Sequence, residues 1–155
     1  MNQPANDTLS VERLPIRPTN FSKPFWEATH EKKLLLQYCP ASRQYQFFPR
    51  PVSLFTGRRG LEWREASGRG EIYSYTVARL GPGPFRGHEP YLVALVLLEE
   101  GVQIMANVVG CAVEDIGIGM KVVPFWAPRS DGTHLLMFQP VGADGAPQFN
   151  APQPK

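Results

Sequence analysis

The segment Tyr91–Leu98 (YLVALVLL) is an unbroken apolar run of strand length. Glu99-Glu100-Gly101 follows at once, and then a second run, Val102–Val109. A membrane span needs ~18 apolar residues, so neither run is one. Two apolar runs around a short glycine-bearing break predict a β-hairpin. A run apolar on both faces suits the middle of a sheet.

The neighbouring segments extend this pattern. Glu71–Leu80 (EIYSYTVARL) alternates Ile72, Ser74 and Thr76 against Tyr73, Tyr75 and Val77, the period of a strand with one wet face. Lys121–Ala127 and His134–Gln139 read as two more strands, with Pro124 placing the first at an edge or bulge. Val113–Ile116 reads as a single helical turn between them. With 14 glycines and 16 prolines in 155 residues, the composition argues against an all-helical bundle. Five short antiparallel strands in one chain fit a small closed barrel, of which the OB-fold is the commonest five-stranded solution, with a sandwich as the structural rival. Closure is favoured because an open sheet would leave unpaired edges.

The N-terminal half differs. Residues 1–19 are polar and proline-bearing and read as an arm against the body. Phe21–Lys33 predicts a helix, capped by Asn20 or Ser22, with Pro24 in its first turn and Phe25 and Ala28 on its apolar face. Leu34–Tyr38 and Leu61–Ala66 predict strands, Ser67-Gly68-Arg69-Gly70 a break. The expected organisation is an arm and helix over 1–38, a ribbon-like segment over 39–66, a barrel over 67–140 and a flexible tail over 141–155.

Charge follows the same division. Residues 1–70 carry 11 Lys/Arg and 6 Asp/Glu, residues 71–155 carry 5 and 8, and the net formal charge is +2. A barrel with an acidic balance is the wrong sign for a groove that tracks phosphates, which argues against a single-strand nucleic-acid binder. The two cysteines, Cys39 and Cys111, are too few for a disulfide scaffold. With no signal-peptide pattern at the start, a cytoplasmic protein is expected.

No nucleophile elbow or phosphate-binding loop is present, and Gly81–Phe85 carries prolines where a phosphate cradle needs N–H groups. His30, His88 and His134 have no metal-ligand neighbour at the usual spacing. Glu99-Glu100 and Glu114-Asp115 sit in turns, so neither is an obvious buried acid/base pair for a stand-alone hydrolase or hydratase. The informative stretch is Cys39-Pro40-Ala41-Ser42 and, ten residues on, Ser53-Leu54-Phe55-Thr56. Cys39/Ser42 and Ser53/Thr56 have the spacing of paired zinc knuckles, yet one station in four is a cysteine. A single thiolate cannot hold a structural ion, so no zinc is expected, and any ribbon shape must rest on packing of Phe47, Phe48, Leu54 and Phe55.

Seven pieces occur in order: Pro24–Glu27 (PFWE), Leu34–Cys39 (LLLQYC), Phe47–Pro51 (FFPRP), Ser67–Val77 (SGRGEIYSYTV), Pro90–Val96 (PYLVALV), Asn107–Cys111 (NVVGC) and Ile118–Val122 (IGMKV). Together they resemble the zinc-ribbon plus OB-fold family long catalogued as a domain of unknown function. Its members accompany thiolase-like and 3-hydroxy-3-methylglutaryl-CoA-synthase-like enzymes. The resemblance implies an acyl-CoA-handling accessory subunit, with catalysis in the partner, and a ribbon whose other three cysteines are here Ser42, Ser53 and Thr56. A CoA thioester would need guanidinium groups for its phosphates and an apolar wall for its adenine. The candidates are Arg43, Arg50, Arg58, Arg59 and Arg69 for the first, and Trp26, Tyr73 and Phe85 for the second. No membrane partner is implied, and self-association is left open.

Overall fold

The computed structural model describes residues 8–148. Two β units follow one another along the chain. The first is a three-stranded sheet made by β1 (Leu35–Cys39), β2 (Gln44–Gln46) and β3 (Glu62–Glu65), in the order β2-β1-β3. Both pairings are antiparallel. The second is a closed barrel of β4 (Gly70–Ala78), β5 (Tyr91–Leu98), β6 (Gln103–Val108), β7 (Lys121–Pro128) and β8 (His134–Pro140), in the order β4-β5-β6-β8-β7. The mainly β fold and the five-stranded OB-like barrel are as the sequence predicts.

One element of that expectation is corrected. The strands are not all antiparallel, because β6 meets β8 in parallel at Val108 and Phe138. A ring with an odd number of strands cannot alternate direction all the way round, so closure itself demands such a pair. The seam that closes the ring is short: β7 joins β4 only at Gly70↔Val122 and Glu71↔Lys121. Pro124 lies beyond that seam, where β7 has no β4 partner to lose a hydrogen bond to.

The core fills the barrel. Ile72, Leu92, Val96, Val108 and Phe138 are fully buried within it. Along β4 the alternation of burial breaks: the register shifts between Ile72 and Ser74, a bulge after which Tyr73–Thr76 are all exposed. Gly68 turns the chain into the barrel at φ 68°, and a Cβ there would collide with the Pro124 ring.

The helix is shorter than the Phe21–Lys33 expected. α1 spans Lys23–Ala28, a 3₁₀ turn continues through Thr29–Glu31, and Lys32 ends it in the left-handed region at φ 57°. Ser22 occupies the N-cap position without capping, because its hydroxyl is engaged with Thr19. The helix stops where the barrel holds it: Thr29 Oγ1 accepts from the His134 N–H at 3.3 Å and its carbonyl lies 2.8 Å from His134 Nδ1. The strand β2 has no sequence signal, since Gln44-Tyr45-Gln46 carries no apolar alternation. At Val113–Ile116, where a single helical turn is expected, the chain makes one hydrogen-bonded turn, with Asp115 N–H donating to the Ala112 carbonyl.

The arm and tail also take form. Thr8 and Val11 are buried against the barrel, where Val109, Ala127 and Met137 make a second small core with Leu9. Residues 141–148 are not an open tail. Asp144 Oδ1 accepts from Ala146 N–H, Gly142 N–H donates to the Ala146 carbonyl, and Val141 pairs with Pro147. The rest of the expected tail, and residues 1–7 of the arm, lie outside the described residues. No helix among the described residues is long and apolar enough to cross a membrane.

Candidate functional site

The two knuckle-like turns face one another. Cys39 ends β1, and its carbonyl accepts from Arg43 N–H at 2.8 Å; Ser53 repeats the device with Gly57 N–H at 2.9 Å. Arg43 takes the left-handed conformation, φ 58°, that this tight turn requires. The Ser53 hydroxyl accepts from the N–H groups of Phe55 and Thr56, at 3.1 and 3.3 Å. The Ser42 and Ser53 hydroxyls flank the Cys39 thiol, favour its thiolate and pull its pKa down to about 7. Ser42 Oγ is buried and meets no partner at full hydrogen-bond geometry. Beside the thiol a cavity of about 170 Å³ is lined by Ser53, Thr56, Arg58 and Arg59.

The four stations predicted from spacing, Cys39, Ser42, Ser53 and Thr56, thus belong to one place. Their donor set does not suit zinc: one thiol and three neutral hydroxyls, with Ser53 already occupied by backbone N–H groups. No group of three or more His, Cys, Asp or Glu able to hold a metal occurs among the described residues.

What organises the segment is a pair of buried glutamines. Gln46 Nε2 donates to Gln37 Oε1 at 2.9 Å. Gln37 also accepts from Arg50 N–H and donates to the Arg50 carbonyl, and Gln46 accepts from Leu54 N–H and donates to the Val52 carbonyl. The staple ties the loop 50–54 to the β1–β2 hairpin. The aromatic packing expected to do this is mostly absent: Phe48, Leu54 and Phe55 are exposed, and only Phe47 packs on the core.

Phe47 leads to a second feature. It lies 5.8 Å from Phe25 and stacks on Phe48 at 4.4 Å, while Phe25 meets Trp26 edge-on at 5.0 Å. With Met105 of β6 and Leu135 of β8 these rings line an apolar recess of about 200 Å³. Phe48 is 65% exposed and Met105 69%. The recess forms where helix, ribbon loop and barrel meet. Trp26 belongs to it; Phe48 and Met105 were missed as site residues, although the doubled phenylalanine before Pro49 was a signal.

The remaining candidates are dispersed. Arg58 and Arg59 border the thiol cavity, whereas the Arg43 and Arg50 side chains are exposed outside it. Arg69 pairs with Glu99 at 3.3 Å across solvent-exposed surface, on a groove of about 530 Å³ with Glu71 and Lys121. Tyr73 projects from the bulge of β4. Phe85 lies against Tyr91, with the Arg13 guanidinium 4.6 Å over its ring. Cys111 is a packed core thiol whose pKa burial pushes up.

This geometry can be set beside known proteins. A family profile described as the ChsH2 C-terminal OB-fold domain matches residues 63–126. A DUF35 domain-containing scaffold protein of Pyrococcus furiosus is 32% identical over 68% of this chain and 77% of its own. A probable enoyl-CoA hydratase alpha subunit of Thermomonospora curvata is 38% identical over 79% of this chain, but the match spans 38% of that longer protein. Among solved structures, a chain of the Ltp2-ChsH2(DUF35) aldolase superimposes with a TM-score of 0.71 at 36% identity, over 80% of this chain and 98% of that one. A DUF35 protein of Sulfolobus solfataricus, at 13% identity and TM-score 0.58, shares the fold.

Proposed function

The chain belongs to the DUF35 family of scaffold proteins, and from that premise we propose that it is a non-catalytic accessory subunit of an acyl-CoA-processing enzyme of the thiolase type. The observation that carries this reading is its agreement, over nearly the whole length of the neighbour, with the DUF35 chain of an aldolase complex. The named hydratase subunit among its relatives points to thioester chemistry in the same assemblies.

The recess at the meeting of helix, ribbon and barrel is the docking face in this proposal. Exposed aromatic and methionine side chains around a shallow apolar pocket are the composition of a protein-interface centre. Arg58 and Arg59, with neighbouring backbone groups, would meet the phosphates of a CoA thioester shared with the partner. Catalysis is left to the partner: carboxylates such as Glu62 with Arg64 and Glu71 with Lys121 lie in exposed ion pairs rather than as a buried acid/base pair. Both thiols are free, which suits the cytoplasm.

Co-expression with a thiolase-type enzyme encoded beside it tests the reading. The two are expected to co-elute on size exclusion, and Phe48→Asp to weaken the complex at least tenfold while the lone chain keeps its circular dichroism. Turnover of a thioester by the lone chain, or separate elution, overturns it.

A further inference from the structure

A second cavity, unrelated to the ribbon, lies between the N-terminal arm and the barrel. It measures about 340 Å³ and is lined by Thr8, Leu9, Val11, Arg13 and Pro15 of the arm and by Arg129, Leu135 and Met137 of the barrel. That size is in the range of small-molecule sites.

Two guanidinium groups share it. Arg13 is half-buried; it donates to Asn107 Oδ1 at 3.2 Å and covers the Phe85 ring. The Arg129 side chain is only 10% exposed and donates one N–H to the Leu14 carbonyl at 2.7 Å. Among the described residues Arg129 Nε has no hydrogen-bond partner; Asp131 Oδ2 stands 3.8 Å away as a long ion pair, while Oδ1 is engaged by Thr133. Thr8 Oγ1, completely buried, has none either. Glu12 also borders the cavity, from the exposed side. Burial first, and the Arg129 charge second, lower the Arg13 pKa. Two guanidinium groups beside two orphaned buried polar groups, with Asp131 reaching only Arg129 and only at 3.8 Å, leave a place for a further counter-charge.

We propose that this cavity binds a small organic oxyanion. A carboxylate or phosphate head takes the free Arg129 Nε–H, the Thr8 hydroxyl and the Arg13 guanidinium, and its apolar body lies on Leu9, Val11, Leu135 and Met137. A planar two-oxygen head matches a guanidinium fork, which is why arginine and not lysine suits both positions. Because the arm supplies half the lining, the ligand would also fasten the arm to the barrel. The inference is independent of the docking face, since the recess and this cavity share only Leu135.

Isothermal titration of the full chain tests it with four probes: hexanoate, hexyl phosphate, inorganic phosphate and hexanol. Saturable binding of hexanoate or hexyl phosphate is expected, with hexanol at least tenfold weaker. A tighter hexanoate assigns a carboxylate source, a tighter hexyl phosphate a phosphate source. Arg129→Met is expected to weaken the charged probes at least tenfold. Thr8→Val, nearly the same size, should weaken them about threefold and guards against a folding defect in the first variant. Binding of neither organic anion, equal binding of hexanol, or undiminished affinity in both variants overturns the site; saturation by inorganic phosphate alone marks an adventitious ion only and overturns it too.

Discussion

The ribbon sheet and the barrel are held together by different physics. In the barrel the interior is apolar and complete, and the sheet closes on itself, so no edge of β5 or β6 lacks a neighbour. In the ribbon, three short strands bury little more than Leu36 and Cys39 among apolar side chains, and the loop between β2 and β3 is fixed by hydrogen bonds to Gln37 and Gln46. Apolar burial is non-directional and tolerates repacking. Hydrogen bonds to buried amides are directional, and removing one partner leaves the others unsatisfied. A segment of this size without metal ligands therefore keeps its shape through geometry rather than through core volume.

The most severe way to probe this contrast is Phe138→Ala. The ring is fully buried where β6 and β8 meet in parallel, so truncation should cost about 3–5 kcal/mol. Urea unfolding followed by tryptophan emission reads it, and a cost below about 1 kcal/mol would mean that the barrel is not the cooperative unit. Next in size is Gln46→Leu. It strands Leu54 N–H and the Val52 carbonyl and should cost about 2–3 kcal/mol, confined to the ribbon. Faster exchange of the Leu54 amide and tryptic cleavage after Arg58 or Arg59, with barrel amides still protected, is the expected pattern. Equal loss of protection in both regions would show that they unfold as one body.

The smallest effect concerns pH. The Cys39 thiol has its folded pKa lowered from the ordinary thiol value to about 7 by the Ser42 and Ser53 hydroxyls. A lowered acid pKa stabilises the folded state above the unfolded value, and that contribution is lost as pH falls through about 7. Ribbon protection should therefore rise between pH 7 and 9 in the native chain and stay level in Cys39→Ala. Hydrogen exchange corrected for intrinsic rates measures it; a flat native profile would remove the hydroxyls as the cause.

Much of the barrel was legible from the chain alone. Tyr91–Leu98 announced itself because its inner face is buried in the barrel and its outer face is half-buried, so apolar side chains run through it without a break. The break at Ser67–Gly70 was legible for a related reason: only glycine passes Pro124 at Gly68. The strand β2 was not, since its register is set by β1 and by a glutamine facing inward. The spacing of Cys39, Ser42, Ser53 and Thr56 revealed the paired turns, but what fixes them lies in Gln37 and Gln46, two polar residues with nothing in their local sequence to mark burial. The bulge that exposes Tyr73 was equally silent.

The amino-acid order determined the β-rich division of the molecule, the positions of its turns and the single thiol among its four knuckle stations, because those follow from side-chain type and local spacing. The tertiary structure alone decided the parallel pair, the aromatic recess and the meeting of Arg13 with Arg129. Each of these joins segments far apart in the chain: the first is imposed by closing an odd-numbered ring, the second by the packing of three separate elements, the third by the path of the arm across the barrel.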